Sequence, residues 1–164
     1  MTIKVSIDAS GGDHGIPTTI EAGINALGAF PDLHLVFVGD SNSIQTELNQ
    51  HTFAQKFIGR FDITHASEVI AMDESPSSAL RKKKDASMRV AINLIKDNTV
   101  DACVSAGNTG ALMAISRFVL KTIKGIDRPA IMGRMPTMDG HTHMLDLGAN
   151  VDSNPKALVE FATM

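Results

Sequence analysis

Short apolar runs and amphipathic segments take turns along the first part of the chain. Residues 3–8 alternate and are rich in Ile and Val, which predicts a strand. Apolar residues then recur at helical spacing as far as Pro31, with Pro17 where a first helical turn tolerates proline. The continuous apolar run LHLVFVGD at 33–40 predicts a second strand that is covered on both faces.

The same alternation continues to the end of the chain. The pattern predicts a polar helix at 41–50, a weaker strand at 60–66, and a polar stretch at 71–88 that runs into a helix. A strand at 101–106 and an apolar helix after Gly110 follow. Two further strands are predicted at 128–135 and 141–149, and a last helix begins at Pro155. This order favours an α/β fold with a mostly parallel sheet. We expect one α/β domain over residues 1–164.

Composition excludes several classes of protein. The net charge is −3 and the chain has no Trp or Tyr, which argues against a nucleic-acid surface. Cys103 is the single cysteine, so the chain suits a reducing compartment. The N-terminus lacks the apolar core of a signal peptide, and no apolar run is long enough to span a membrane. We expect a cytosolic protein, and the ending KALVEFATM, without a helix stop signal, predicts a fragment of a longer one.

Three glycine-containing loops each follow a predicted strand, namely DASGGDHG at 8–15, SAGNTGAL at 105–112 and LDLGANVDSNP at 145–155. Glycine allows positive φ and lets a ligand approach the backbone, and a loop that opens a helix presents N–H groups to an anion. If the three strands are parallel, the loops share one end of the sheet. The resulting crevice would hold Asp8, Asp13, His14, Ser105, Asn108, Thr109, Asp146, Asn150 and Asp152. No loop matches a dinucleotide fingerprint or a P-loop.

A basic run, RKKK at Arg81–Lys84, leaves two interpretations open. It is a solvated helix face, or it attracts phosphate or an acidic partner. Four cations within about one turn would span every face of a helix, so some would point toward the crevice.

Other candidates for chemistry are weaker. Cys103 lies inside an apolar strand, where a cysteine acts as a small hydrophobe rather than a nucleophile. Ser87 and Ser105 lack the glycine elbow of a serine nucleophile. The segment DGHTH at 139–143 could hold zinc through its Asp and two His, but a polar turn and strand start is favoured, so no metal site is predicted.

Several blocks of the sequence together resemble one family. The blocks DASGGD, DESPSSALRKKKDASM, SAGNTGALMA, GIDRPA and LDLGANVD are similar, in this order, to the PlsX family of bacterial phosphate acyltransferases of phospholipid synthesis. Ser10 stands where that family usually has Met. Family members are much longer, and this chain resembles their N-terminal half.

The resemblance implies a fold, a reaction and partners. The fold is a three-layer α/β/α sandwich related to isocitrate and isopropylmalate dehydrogenases. The reaction moves a long-chain acyl group from acyl carrier protein to inorganic phosphate and gives acyl phosphate, without a cofactor. The family implies a homodimer in the cytoplasm, with peripheral membrane association. The acidic surface of acyl carrier protein needs a basic patch, for which Arg81–Lys84 and the segment RFVLKTIKGIDR at 117–128 are the clusters on offer.

Roles for individual residues follow as hypotheses. We expect the phosphate to be held by the glycine loop and the basic run, namely Gly107, Asn108, Thr109, Gly110, Arg81, Lys82 and Lys84. His14, Asp13, Asn108 and Lys83 are the catalytic candidates, His14 as an acid or base. The surrounding cleft would include Asp8, Gly11, Gly12, Ser105, Asn150 and Asp152.

Three functions remain open on the sequence. The first is the acyltransferase. The second is a half-domain that binds phosphate or carrier protein without turnover. The third is a cousin of the same fold, either a dehydrogenase, which the missing dinucleotide fingerprint disfavours, or a phosphotransacetylase-like enzyme that uses acyl-CoA.

Overall fold

A computed structural model describes residues 2–148 and 152–164 of the chain. The chain divides into two compact units, a first that ends at Leu120 and a second that begins at Lys121. A single domain over all 164 residues stays a prediction. Within the described residues, no helix is long and apolar enough to cross a membrane.

The first unit is built around a four-stranded parallel sheet. Its elements are β1 (Ile3–Asp8), α1 (Gly15–Ala29), β2 (Leu33–Gly39), α2 (Ser41–Gln50), a 3₁₀ turn (Ala54–Phe57), β3 (Phe61–His65), α3 (Pro76–Lys82), α4 (Ser87–Lys96), β4 (Ala102–Val104) and α5 (Thr109–Leu120). The strand order is β3-β2-β1-β4, and each neighbouring pair is parallel. The predicted α/β class with a mostly parallel sheet is confirmed, while the relation to the dehydrogenases stays a prediction.

The sheet is covered on both faces, as the apolar run of β2 predicts. Leu35 and Phe37 pack into a core with residues of α1 and α2. Val36 and Val38, which point to the other face, pack with Ala91 of α4. Successive side chains of a strand point to opposite faces, so a strand buried on both sides must be apolar at every position.

The polar stretch at 71–88 contains a helix of its own, α3, before α4 begins at Ser87, which corrects the expectation that the stretch runs into a single helix. Ser75 caps α3 by accepting from the backbone of Ser78, and α3 ends at Lys82. The side chain of Asp85 then accepts from the N–H and hydroxyl of Ser67 at 2.8 and 2.6 Å. These long-range bonds hold the chain out of helical geometry until α4 begins at Ser87.

The second unit contains a hairpin and a helix: β5 (Met132–Thr137), β6 (Gly140–Leu145) and α6 (Pro155–Thr163). β5 and β6 are antiparallel and form a sheet of their own. The premise that the third glycine loop follows a strand of the parallel sheet is therefore wrong. The physical reason is the connection, because two residues separate Thr137 from its partner Gly140, and a parallel pair needs a crossover of a dozen or more residues.

Candidate functional site

The carboxyl ends of β1 and β4 mark the point where the strand order of the sheet reverses. β2 and β3 lie on one side of β1, and β4 lies on the other. α1 packs with α2 on one face, and α5 packs with α4 on the opposite face. Open parallel sheets bind ligands outside the strand ends at such a point. The loops at 8–15 and 105–112 therefore meet where the fold itself favours a site.

Asp8 lies buried at the carboxyl end of β1, where the strand order reverses. It is the last residue of β1 and is 1% exposed. The hydroxyl of Ser87, the first residue of α4, donates to Asp8 Oδ1 at 2.5 Å, and the hydroxyl of Ser105 donates to Oδ2 at 2.6 Å. Ser105 Oγ in turn accepts from the backbone N–H of Gly107 at 3.1 Å. One carboxylate thus ties together β1, α4 and the loop after β4.

The electrostatics of Asp8 follow from its burial. Loss of hydration raises the pKa of the Asp8 carboxyl above its ordinary value of 3.8, and the hydrogen bonds from Ser105 and Ser87 offset part of that rise. Both carboxylate oxygens already have protein donors. Through these bonds the Asp8 carboxylate holds the surrounding loops in place, and its place in a substrate cleft stays a prediction.

Three glycines of the two loops, Gly11, Gly107 and Gly110, are closely packed, whereas Gly12 and Gly15 have positive φ as expected for glycine. A Cβ on Gly11 would lie 2.4 Å from Asp8 Oδ2, and one on Gly107 would lie 2.9 Å from Met88 Cε. A Cβ on Gly110 would lie 2.9 Å from the ring of Pro76. Positive φ, expected from the sequence as a reason for these glycines, does not occur at any of the three, so that explanation is wrong for them.

Asn108 uses its whole side chain inside the protein. Its Nδ2 lies 2.8–3.2 Å from the carbonyl oxygens of Ala71, Met72 and Glu74, and its Oδ1 accepts from the N–H of Ala111 at 3.0 Å. Asn108 therefore caps the start of α5 and fastens it to the segment before α3. This places Asn108 as a support of the loop, and any direct contact with phosphate stays a prediction.

The residues at the mouth of the site are accessible. Asp13 and His14 are exposed, and His14 directly precedes α1. Thr109 and Gly110 are exposed in the first turn of α5, and Ser105 is half-buried beneath them. Gly12 has φ of +90° and its backbone approaches Ala106, so the two loops contact one another.

The basic run lies at the C-terminal end of α3. Arg81 Nε donates to the carbonyl of Ser77, and Lys84 Nζ donates to the carbonyl of Leu80. Lys83 Nζ lies 3.9 Å from Glu68 Oε1. Cations at this position complement the negative end of a helix dipole. The run therefore has a local structural role, and the expectation that it spans every face of one helix is wrong, because α3 ends at Lys82.

The sequence does not reveal the roles of two residues of this region. It offers Ser87 only as a weak candidate for a nucleophile, yet the Ser87 hydroxyl is one of the two side-chain donors to Asp8. Arg89 donates to the carbonyl of Leu80 at 3.1 Å and lies 5.5 Å from the ring centroid of Phe118. The sequence signal for Ser87 is its place at the start of an amphipathic helix, but Asp8 is 79 residues away and no local spacing links the two.

The candidates of the second unit are described there alone. Asp146 accepts from the hydroxyl of Ser153 at 2.9 Å, and Asp152 is exposed. The prediction for Asn150 lies outside the described residues. In the segment 139–143, the rings of its two histidines pack edge to face with centroids 5.1 Å apart.

Cys103 lies in β4, and its side chain packs against residues of α4. Burial raises the pKa of its thiol to about 11, with the Asp8 charge adding to the rise. A thiol in this state is a poor nucleophile, because the thiolate is the reactive form. The interpretation of Cys103 as a small hydrophobe therefore agrees with its surroundings in the core.

Comparison with known proteins identifies relatives over the whole chain. Residues 3–164 match the family model described as fatty acid synthesis protein. The chain is 75% identical over 164 residues to a phosphate acyltransferase of Ruthia magnifica, 54% identical to that of Hydrogenovibrio crunogenus, and 55% identical over 174 residues to that of Francisella tularensis. All of the chain is covered, but only 48%, 48% and 50% of these relatives. The chain thus spans about half the length of the curated relatives it matches.

Proposed function

The chain belongs to the family of fatty acid synthesis proteins, and on this premise we propose that it supplies the phosphate-binding side of an acyl transfer to inorganic phosphate. The donor would be a long-chain acyl group on acyl carrier protein and the product an acyl phosphate for phospholipid synthesis. The relatives named phosphate acyltransferase support the reaction class. The observation that carries the proposal is the exposed first turn of α5 at the reversal point of the sheet.

The proposed reaction needs two forms of help from the protein. A phosphate oxygen attacks the thioester carbonyl carbon, the C–S bond breaks, and the carrier protein leaves as a thiolate. Phosphate must therefore be held near the carbonyl carbon, and the negative charge that develops on the carbonyl oxygen must be stabilised. Neither task requires a covalent intermediate on the protein.

Phosphate would bind at the start of α5. Thr109 and Gly110 lie exposed in its first turn, where backbone N–H groups and the helix dipole favour an anion. The Thr109 hydroxyl is a further donor within the same turn. Asn108 and Asp8 would act as positioning residues, because their side chains hold the backbone of this turn in place.

The loop at 8–15, after β1, would lie beside the thioester carbonyl carbon. Gly11 and Gly12 bring the backbone after β1 against the loop after β4, and Asp13 and His14 extend from it into solvent. His14 is the candidate for proton transfer to the leaving thiolate, since a histidine can change its protonation near neutral pH. The basic residues Arg81–Lys84 would then mainly speed the encounter with an acidic carrier protein.

The direct test is formation of acyl phosphate from long-chain acyl carrier protein and inorganic phosphate. It would compare the 164-residue chain with the same chain extended by the C-terminal half of the Ruthia magnifica relative. Product that depends on both substrates supports the proposal. If neither form makes acyl phosphate, the proposed reaction fails for this protein, whereas product from the extended form alone assigns this chain the role of a binding half.

A variant test addresses the phosphate site. Thr109→Val keeps the side-chain shape and removes the hydroxyl, and a lost hydrogen bond to a charged group of about 1.5–3 kcal/mol corresponds to a rise of roughly 10- to 100-fold in KM for phosphate. Thr99→Val, at an exposed position before β4, is the matched control and leaves KM unchanged. Equal kinetics for both variants would exclude the Thr109 hydroxyl from phosphate binding.

The choice of acyl donor distinguishes the proposed acyltransferase from a phosphotransacetylase-like enzyme. A phosphotransacetylase-like enzyme would use short acyl-CoA in preference to long-chain acyl carrier protein. Raising the salt concentration should slow the reaction with carrier protein more than the reaction with acyl-CoA, because the basic run would act at long range only on the acidic protein. A homodimer in the cytoplasm with peripheral membrane contact is the expected setting for this activity.

A further inference from the structure

The hydroxyl of Ser87 is buried and donates outside its own helix. Ser87 is the first residue of α4 and is 1% exposed. Serines at helix starts commonly serve as caps, but the N-cap of α4 is Ala86, and α4 has no side-chain cap. The Ser87 hydroxyl instead donates to Asp8 Oδ1, at the end of β1. A buried hydroxyl needs a hydrogen-bond partner, and here that partner is a carboxylate 79 positions away.

A series of hydrogen bonds connects Ser87 to the loop after β4. Asp8 accepts from Ser87 through Oδ1 and from Ser105 through Oδ2. A hydroxyl has one hydrogen to donate and two positions at which it accepts. Because Ser105 donates to Asp8, its oxygen is free to accept from the Gly107 N–H. The orientation of the Gly107 amide therefore depends on the Asp8 carboxylate, and through it on Ser87.

Close packing holds this carboxylate in one position. A Cβ on Gly11 would lie 2.4 Å from Asp8 Oδ2, and one on Gly107 would lie 3.4 Å from the same oxygen. The backbones of both loops thus lie against Oδ2, on the side of the carboxylate opposite its bond from Ser87. Since Asp8 is 1% exposed, bulk solvent does not offer a substitute for the Ser87 hydroxyl.

The bond from Ser87 also favours the ionised form of Asp8. Burial raises the pKa of the Asp8 carboxyl, whereas the hydrogen bonds from Ser105, Ser87 and the backbone of Gly11 act in the opposite direction. Removing the Ser87 hydroxyl would therefore raise the pKa of Asp8 further. The carboxyl would then take up its proton at a higher pH and become a weaker acceptor for Ser105.

Other charged groups do not take over this role. No cation pairs with Asp8 among the residues that the structure describes, so its ionisation depends on hydrogen bonds. Cys103 of β4 is the titratable neighbour, and its thiol is neutral because burial raises its pKa to about 11. Arg89 of α4 donates to the carbonyl of Leu80.

We propose that Ser87 is a positioning residue for the turn at 107–110: its hydroxyl holds the Asp8 carboxylate as the acceptor of Ser105, and Ser105 holds the Gly107 amide. The inference rests on the proposed phosphate site at the start of α5. It adds a residue of α4 to the support of that site, together with a dependence on pH.

An NMR titration of the Gly107 amide tests the proposal without any ligand. Ser87→Ala removes the hydroxyl and keeps the backbone bond from the Ser87 N–H to the carbonyl of Glu68. The Gly107 signal should follow the ionisation of Asp8, with a midpoint that moves to higher pH in Ser87→Ala and returns in Ser87→Thr. Ser43→Ala is the matched control, because the Ser43 hydroxyl also donates to a carboxylate, at 2.6 Å, just after β2. An unchanged midpoint in Ser87→Ala would overturn the proposal.

Phosphate binding tests the consequence for the site. In the chain extended by the C-terminal half of the Ruthia magnifica relative, we expect Ser87→Ala to raise the Kd and KM for inorganic phosphate roughly tenfold, as for one lost hydrogen bond to a charged group, and to change kcat by less than about twofold. Ser43→Ala should change neither. Equal phosphate affinity in Ser87→Ala and the unsubstituted protein would overturn the proposal. If the unsubstituted protein binds no phosphate while the Gly107 midpoint moves, the proposed function fails and the role of Ser87 in the turn is supported.

A double substitution tests whether Ser87 acts through Asp8. In an Asp8→Asn background, Ser87→Ala should change the Kd for phosphate by less than about twofold, because the carboxylate that transmits its effect is absent. A tenfold loss in that background as well would contradict the proposal. Should Ser87→Ala not fold, Ser87→Cys keeps a side chain of similar size with a weaker donor, and the Gly107 midpoint must again rise.

Discussion

The two edges of the parallel sheet differ in how they meet solvent. At the β3 edge, His34 Nε2 lies 2.8 Å from Asp62 Oδ2, and Phe61 and Ile63 are half-buried against the core with α1 and α2. At the β4 edge, Val104 stands 57% exposed over an apolar groove. Natural proteins protect exposed edges with charged side chains, among other means. The β3 edge carries such a charge at Asp62, whereas the side chain of Val104 at the β4 edge is apolar and exposed.

The largest expected difference concerns two phenylalanines on the α1 side of the sheet. Phe37→Ala removes a fully buried ring and should lower the free energy of unfolding by about 3–5 kcal/mol. Phe30→Ala removes a 58% exposed ring at the open groove and should cost under about 1 kcal/mol. Urea unfolding of both variants measures the two values.

The same pair also tests whether the groove is open in solution. If Phe30→Ala destabilises the 164-residue chain as much as Phe37→Ala does, the groove is already closed and the contrast between the edges is broken.

The next largest expected effect on stability is that of replacing two glycines by alanine. A Cβ on Gly110 would lie 2.9 Å from the ring of Pro76, so Gly110→Ala should destabilise by about 1–3 kcal/mol as α3 and α5 are pushed apart. Gly28 lies in α1 with ordinary contact to Phe57, so Gly28→Ala should stabilise by about 0.5–1 kcal/mol through helix propensity. Thermal unfolding compares the two. A stabilising Gly110→Ala would mean that α5 starts farther from Pro76 than the structure places it.

Two aspartates at neighbouring strand ends should respond to pH with opposite signs. The pKa of Asp8 is raised by burial, so its contribution to stability is present below about pH 4 and declines as pH rises through the folded-state value. The pKa of Asp40 is lowered by hydrogen bonds from the hydroxyl and N–H of Ser43, so its contribution is present at neutral pH and is lost as pH falls through the folded-state value.

Asn variants isolate each carboxyl. We subtract the free energy of unfolding of each variant from that of the unsubstituted chain. With rising pH, this difference should decrease for Asp8→Asn and increase for Asp40→Asn. Urea titrations at a series of pH values measure both differences. Parallel slopes for the two variants would contradict the burial of Asp8 between Ser87 and Ser105.

The smallest expected effect on stability is that of a substitution at the β3 edge. Asp62 is largely exposed, so Asp62→Asn should cost no more than about 1 kcal/mol, and added salt should reduce the cost further. Urea unfolding at low and high salt measures it. A larger cost that does not depend on salt would mean that this ion pair is more than a surface contact.

Much of the fold could be predicted because its signals are local. The apolar run of β2 and the helical spacing of Ile20, Ile24 and Leu27 each depend on neighbours in sequence. The boundary of α3 could not be predicted in the same way, because Asp85 and Ser67 interrupt the helix across 18 residues. The sequence left open whether the last two strands join the parallel sheet, and the structure pairs them as an antiparallel hairpin with two residues between Thr137 and Gly140.

The sequence by itself determined the α/β class, the strands of the parallel sheet, and the two loops that end β1 and β4. Only the tertiary structure decided what those loops contain. Asp8 meets partners 79 and 97 residues away, Asn108 closes on carbonyls more than 30 residues before it, and Gly110 is required by a proline ring of another helix. Periodicity encodes which face of an element is buried, whereas the partner that buries it depends on how distant segments pack together.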